Sequence, residues 1–111
     1  MMIPKIEIAK NVAGGNGDTV KKHLLTADEL NDKTRMFAEI TLKPGCSIGY
    51  HEHHGESETY YILSGTGTYN DNGEIRSVAP GDVTFTPSGQ GHGLENTGPE
   101  NLVFIALILR D

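Results

Sequence analysis

Turn signals divide this chain into short segments along most of its length. Pro44-Gly45, Pro80-Gly81 and the tetrapeptide Asn70–Gly73 each lie between segments rich in apolar and β-branched residues. The chain contains many turn-forming residues, with 14 glycines and five prolines. Signals that recur about every ten residues are typical of strands in a sandwich or barrel. The pattern therefore favours an all-β fold over a helical bundle.

Alternating or short apolar runs between these turns predict a series of strands. The predicted strands cover residues 3–9, 20–25, 35–42, 47–53, 58–63, 66–70, 74–78, 82–86, 91–96 and 101–110. Thr26 and Glu29 match a capping box, which predicts a short helical turn within residues 26–33. The length of 111 residues, without a linker, predicts a single domain over residues 1–111.

Charge and cysteine content limit the partners and compartment that we expect. The formal net charge is −6, with no basic stripe, which argues against a nucleic-acid partner. Cys46 is the only cysteine, so no intrachain disulfide is possible, which fits a reducing compartment. Residues 1–10 lack a basic region followed by an apolar stretch, and no apolar run approaches the roughly 20 residues of a membrane helix. We therefore expect a cytoplasmic protein without a membrane partner.

The last predicted strand suggests a homodimer. Every residue from Leu102 to Leu109 is apolar, so the strand lacks alternation and both of its faces should be covered. One face would line the barrel, and the other would contact a second copy of the chain. The alternative is that the N-terminal strand of the same chain covers it.

The segment 11–18 (NVAGGNGD) allows two interpretations. Its glycines resemble a phosphate-binding loop, but they lack the spacing of a dinucleotide fingerprint and no helix pattern follows. We therefore interpret it as a plain loop.

Histidines concentrate in two short segments and predict a metal site. His51 and His53 are separated by one residue, so on a strand their rings point to the same face. Glu58 follows a turn and can return beside them, and His92 can supply a fourth ligand. Taken alone, a His-x-His pair on a strand can equally face solvent.

Three imidazoles and one carboxylate would suit one divalent transition-metal ion. Mn, Fe, Co, Ni, Cu and Zn all accept such ligands, and the residues do not choose between them. Four protein ligands would leave two positions of an octahedral ion for water, a bidentate substrate or dioxygen.

The spacing of these residues closely resembles the two motifs of the cupin family. The first motif, Gly-x5-His-x-His-x3–4-Glu-x6-Gly, is matched over residues 45–65 by Gly45, His51, His53, Glu58 and Gly65. The second, Gly-x5-Pro-x-Gly-x2-His-x3-Asn, is matched over residues 81–96 by Gly81, Pro87, Gly89, His92 and Asn96. The resemblance implies a double-stranded β-helix, or jelly-roll barrel, with His51, His53, Glu58 and His92 as metal ligands inside it.

Several neighbouring residues are secondary candidates. Tyr60 and Ile62 share the parity of Glu58, so we expect them to line a substrate pocket. Phe85 and Phe104 are expected to line the barrel or fill its core, and they are further candidates for the wall of this pocket.

Other polar residues near the motifs have weaker claims to a role. His54 has the opposite parity and should point away from the ion. Glu56 competes only weakly with Glu58 because it breaks the motif spacing. His23 is isolated, and Asn96 is expected to tether backbone rather than bind metal.

The function remains open between two main classes at this point, because fold does not determine activity. The first is a metalloenzyme of oxygenase, decarboxylase or isomerase type that acts on a small polar acid, keto acid, sugar or phenolic compound. The alternative is a non-catalytic module that binds or senses a small ligand. A storage role is weaker, since it would not need four intact ligands.

Overall fold

Two antiparallel sheets form the protein in a computed structural model that describes residues 1–111. The strands are Lys5–Lys10 (β1), Asp18–His23 (β2), Thr34–Leu42 (β3), Ser47–Glu52 (β4), Glu56–Ser64 (β5), Gly67–Asp71 (β6), Glu74–Val78 (β7), Val83–Thr86 (β8), Gly91–Glu95 (β9) and Leu102–Arg110 (β10). The larger sheet has the order β1-β2-β3-β10-β5-β8, and the smaller has the order β4-β9-β6-β7. The predicted all-β jelly-roll architecture, a double-stranded β-helix, is confirmed.

The core lies between the two sheets and follows from strand alternation. On β10, Leu102, Phe104, Ala106 and Ile108 are buried, whereas the residues between them face outward. The smaller sheet contributes Ile48, Tyr69 and Leu94 among others. The last strand thus has a regular two-sided pattern that its uniformly apolar sequence conceals.

Short segments outside the sheets behave as their residues indicate. Ala27–Leu30 forms one turn of helix (α1), and the backbone N–H of Thr26 donates to Glu29 Oε1 at 2.9 Å, as the predicted capping box requires. No helix has the length and hydropathy needed to cross a membrane.

Asn96, the last residue of the second motif, holds backbone segments together as expected. Its amide nitrogen donates to the carbonyl oxygens of Leu42 and Glu100, and its Oδ1 accepts from the N–H of Gly98.

A bulge in β4 turns His51 toward the core. The pairing of β4 with β9 shifts between Ile48 and His51, so both side chains face inward although they are three positions apart. Gly49 lies inside the bulge, where an added Cβ would collide with the carbonyl oxygen of Ala13. The glycine-rich segment is therefore a loop whose 3₁₀ turn, Val12–Gly14, packs on β4 by close backbone approach.

The prediction that Phe85 lines the barrel or fills its core is wrong. Phe85 is 59% exposed, because β8 pairs with β5 in a register that places Thr86 opposite Glu58 and Phe85 opposite Thr59. Residues opposite each other share a face, so Thr86 points inward and Phe85 outward. Phe104, by contrast, is fully buried in the core as expected.

The outer face of the larger sheet carries an apolar strip along β10, which Glu39 borders on β3. Ile105 lies there between β3 and β5, beside the exposed Tyr61, which in turn pairs with the exposed Val83. The N-terminal strand β1 does not cover this face, because it extends the same sheet at its edge by pairing with β2. That intrachain alternative is therefore wrong, and a second copy of the chain stays the prediction for what covers the face.

We expect light scattering to give twice the 12.0 kDa mass of one chain. Ile105→Glu should convert this dimer to a monomer, because it places a second carboxylate, beside Glu39, on the apolar strip that the partner would cover. Ile75→Glu is the matched control, since Ile75 is exposed on β7 of the smaller sheet. A wild-type mass of one chain would contradict the prediction.

Candidate metal centre

Three strands and one adjoining turn bring His51, His53, Glu58 and His92 together between the sheets. His51 on β4 pairs directly with His92 on β9, His53 follows the end of β4, and Glu58 lies on β5 of the facing sheet. One side-chain ligand atom from each of the four residues lies within 4.8 Å of the others. His53, Glu58 and His92 are buried, and His51 is half-buried.

Each histidine is oriented by a contact to its Nδ1 atom. His51 Nδ1 donates to the carbonyl oxygen of its neighbour Gly49 at 2.8 Å, within the bulge. His53 Nδ1 donates to Glu56 Oε2, and His92 Nδ1 lies against the hydroxyl of Tyr69, both also at 2.8 Å. These contacts to Nδ1 fix the orientation of the three rings, and their Nε2 atoms are directed toward the same point.

The distances between the Nε2 atoms and the carboxylate oxygen of Glu58 indicate whether a metal ion fits between them. Nε2 of His53 lies 3.1 Å from Nε2 of His92, and Glu58 Oε1 lies 3.0 and 2.9 Å from the same two atoms. Two imidazole lone pairs and a carboxylate oxygen this close repel one another unless a proton or cation lies between them. The cluster therefore fits a single metal ion, and its nitrogen and oxygen donors do not select the element.

The same contacts set the charge of the cluster when it holds no ion. Burial alone would raise the pKa of Glu58, but the imidazole of His51 and hydrogen bonds from His53 and His92 outweigh it and hold the pKa well below its usual range. The hydrogen bond with Glu58 raises the pKa of His53 against the effect of burial, and Glu56 adds to it. Burial lowers the pKa of His92. The cluster therefore contains an ionised carboxylate beside an easily protonated His53.

Glu56 supports the cluster from behind rather than competing for the ion. Its carboxylate accepts from Nε and Nη2 of Arg35, both at 2.9 Å, and contacts the Nδ1 atom of His53 rather than its Nε2. The hydrogen bonds from Arg35 help to lower the pKa of Glu56, so it is ionised. Arg35, Glu56 and His53 thus form a chain of charge-assisted hydrogen bonds.

Arg35 and Tyr69 contact the cluster residues or their partners, and neither was predicted to belong to the site. Alternation predicts that Glu56 and Glu58 share a face, but it does not indicate that Arg35 contacts Glu56. The contact of Tyr69 with His92 depends on the pairing of β6 with β9, which no local pattern reveals. The Tyr69 hydroxyl also lies 3.0 Å from Thr86 Oγ1, which fixes its direction.

A cavity of about 200 Å³ opens beside the cluster. His51, His53 and Glu58 form one side, and the rest is lined by Tyr60, by apolar residues and by the cations Lys21 and Arg35. Tyr60 also stacks on His92, with ring centroids 4.9 Å apart. Ile62 and Phe104 lie in the core and do not line the cavity, and Phe85 faces outward. Of the four residues predicted to line the pocket, only Tyr60 does so.

The remaining histidines lie outside the cluster, in agreement with their parity or isolation. His54 is exposed and lies 3.2 Å from the carboxylate of Glu52. His23 pairs with Glu7 across β1 and β2 at 2.8 Å.

Comparison with known proteins identifies the family to which this chain belongs. The model of the cupin domain family matches residues 38–108, which include all four cluster residues, so the chain belongs to the cupin family. Among individual proteins, it is 46% identical over 103 residues to the oxalate-binding protein of Thermotoga maritima, covering 93% of this chain and 85% of that protein.

Two further similarities extend this comparison. A Thermotoga maritima crystal structure described as a predicted oxalate decarboxylase superimposes with a TM-score of 0.93 and 42% identity, over 99% of this chain and 100% of that one. The oxalate decarboxylase of Bacillus subtilis is 33% identical over 93 residues, which are 77% of this chain but 24% of that protein.

The contact between Glu56 and His53 predicts a loss of metal affinity on mutation. Glu56→Gln should weaken Mn²⁺ binding by about ten- to a hundredfold, because it removes the charge that orients His53 and pairs with Arg35. Competition with a chromogenic chelator measures the affinity. Glu52→Gln, on an exposed residue, should leave it unchanged, and equal affinities for the two variants would disprove this role.

Glu58 predicts the pH dependence of stability in metal-free protein. Its folded-state pKa lies below the ordinary value of 4.5, so the ionised carboxylate stabilises the fold above about pH 4.5 and loses this contribution as the pH falls. Urea unfolding between pH 7 and 3 should therefore show a smaller loss for Glu58→Gln than for the wild type. Glu100→Gln, at an exposed position, should behave as the wild type does, and a Glu58→Gln curve parallel to the wild type would refute the prediction.

Proposed function

We propose that this protein binds a small carboxylate anion through one divalent metal ion held by His51, His53, Glu58 and His92. The observation that carries the proposal is a buried cluster that fits a metal and opens on a small cavity. Its strongest support outside the structure is the 46% identity to an oxalate-binding protein along nearly the whole chain.

Different residues would bind the ion, orient the imidazoles and limit the size of the ligand. The three Nε2 atoms and the Glu58 carboxylate would hold the ion, which supplies positive charge and open positions for carboxylate oxygens. Glu56, Gly49 and Tyr69 keep the imidazoles directed inward. Apolar residues such as Ile48 and Ile108 limit the space beside the cluster, so the cavity suits a small ligand.

Decarboxylation of such an acid is the second candidate, and it is supported by the similarity to an oxalate decarboxylase. Proton transfer to a carbanion would need a general acid or base beside the ligand. The only carboxylate that lines the cavity is Glu58, which belongs to the cluster, and Glu56 is engaged by Arg35 and His53. Of the groups that line the cavity, Lys21 and Tyr60 would be left to donate the proton. The 46% identity to an oxalate-binding protein makes binding the first candidate.

Calorimetric titration with oxalate tests the proposal. Protein reloaded with Mn²⁺ should bind oxalate, and metal-free protein and His92→Ala should not, because both lack the ion that receives the carboxylate. Oxalate binding that is equally strong without metal would refute the proposal.

A formate and carbon dioxide assay on the same loaded protein separates binding from turnover. We expect no product above the protein-free blank. Sustained release of both products would support the decarboxylase instead.

A further inference from the structure

Lys21 is a cation on the wall of the cavity that forms no ion pair within the protein. It lies on β2 opposite Ile40, faces inward and lines the cavity that contains His51 and Glu58. Its neighbour across β1 is Glu7, whose carboxylate oxygen instead lies 2.8 Å from His23 Nε2. Lys21 takes part in none of the ion pairs found in the structure.

The other cation that lines the cavity, Arg35, forms an ion pair within the protein. Arg35 donates from Nε and Nη2 to the two carboxylate oxygens of Glu56, which satisfies its charge. A divalent ion would bring two positive charges, of which Glu58 balances one. Lys21 adds one more positive charge to the cavity. The loaded cavity would carry a net charge of about +2, which two carboxylate groups would balance.

Resting on the proposed function, we propose that Lys21 makes the protein selective for small dicarboxylates over monocarboxylates. The ammonium group would bind the carboxylate oxygens that the metal leaves free, as a charge-assisted contact. Val12, Ala13 and Met36 line the same cavity and reduce the water around this contact, which strengthens it. A monocarboxylate would occupy the metal and leave Lys21 without a partner.

A neighbouring lysine provides a matched control. Lys22 follows Lys21 on β2 but points to the opposite face, where its Nζ lies 3.8 Å from Glu39. Lys21→Gln and Lys22→Gln therefore remove the same charge from adjacent positions, one inside the cavity and one outside.

The experiment titrates Mn²⁺-loaded proteins with oxalate, malonate and acetate at low ionic strength, after metal content has been measured for each. Lys21→Gln should bind the tighter dicarboxylate about tenfold more weakly than the wild type, with acetate affinity changed by less than about twofold. Lys22→Gln should match the wild type, and Lys21→Arg should retain most of the dicarboxylate affinity because it keeps the charge.

The outcomes separate this inference from the function on which it rests. If wild-type protein binds dicarboxylates and Lys21→Gln binds them equally well with a full metal load, the role of Lys21 is refuted and the proposed function stands. An equal loss in Lys22→Gln would also refute it, since the effect would then be one of net charge. If the loaded wild type binds no carboxylate, both proposals fail.

Discussion

A carboxylate buried between two sheets needs compensating donors or cations, and the interior of this barrel is organised around that need at Glu58. Three imidazoles face Glu58, and each is held in direction by a partner from a different strand: Gly49 on β4, Glu56 on β5 and Tyr69 on β6. The partners of His51 and His53 are close in the sequence, whereas the contact of Tyr69 with His92 requires the register of β6 against β9. The metal-binding geometry is therefore a property of the folded barrel, because the two motif segments alone do not contain every partner.

The bulge in β4 connects the fold to this geometry. A regular strand cannot direct both Ile48 and His51 inward, because they are separated by three positions. The bulge absorbs the additional residue and exposes the carbonyl oxygen that His51 contacts. Gly49 also allows the 3₁₀ turn to approach β4, and that turn supplies Val12 and Ala13 to the wall of the cavity. One irregularity thus serves both the cluster and the space beside it.

Local patterns in the sequence predicted the strands and the four cluster residues, because turn signals and motif spacing are read from short segments. Contacts between segments that are distant in the sequence were not predictable in this way. The outward direction of Phe85 depends on the pairing of β8 with β5, and the contact of Tyr69 with His92 depends on the pairing of β6 with β9. Likewise, alternation predicted that Ile62 faces inward but not how far it lies from the cavity.

The family match begins at residue 38, whereas Val12, Ala13, Lys21 and Arg35 all precede it. The histidines and Glu58 therefore lie within the residues that the family model covers, and several cavity-lining groups lie before them. Substitutions in these early residues would change the shape and charge that a ligand meets, while the four residues of the cluster keep their partners Gly49, Glu56 and Tyr69. Two chains with the same four cluster residues would therefore accept different ligands if they differed at Val12, Ala13 and Lys21.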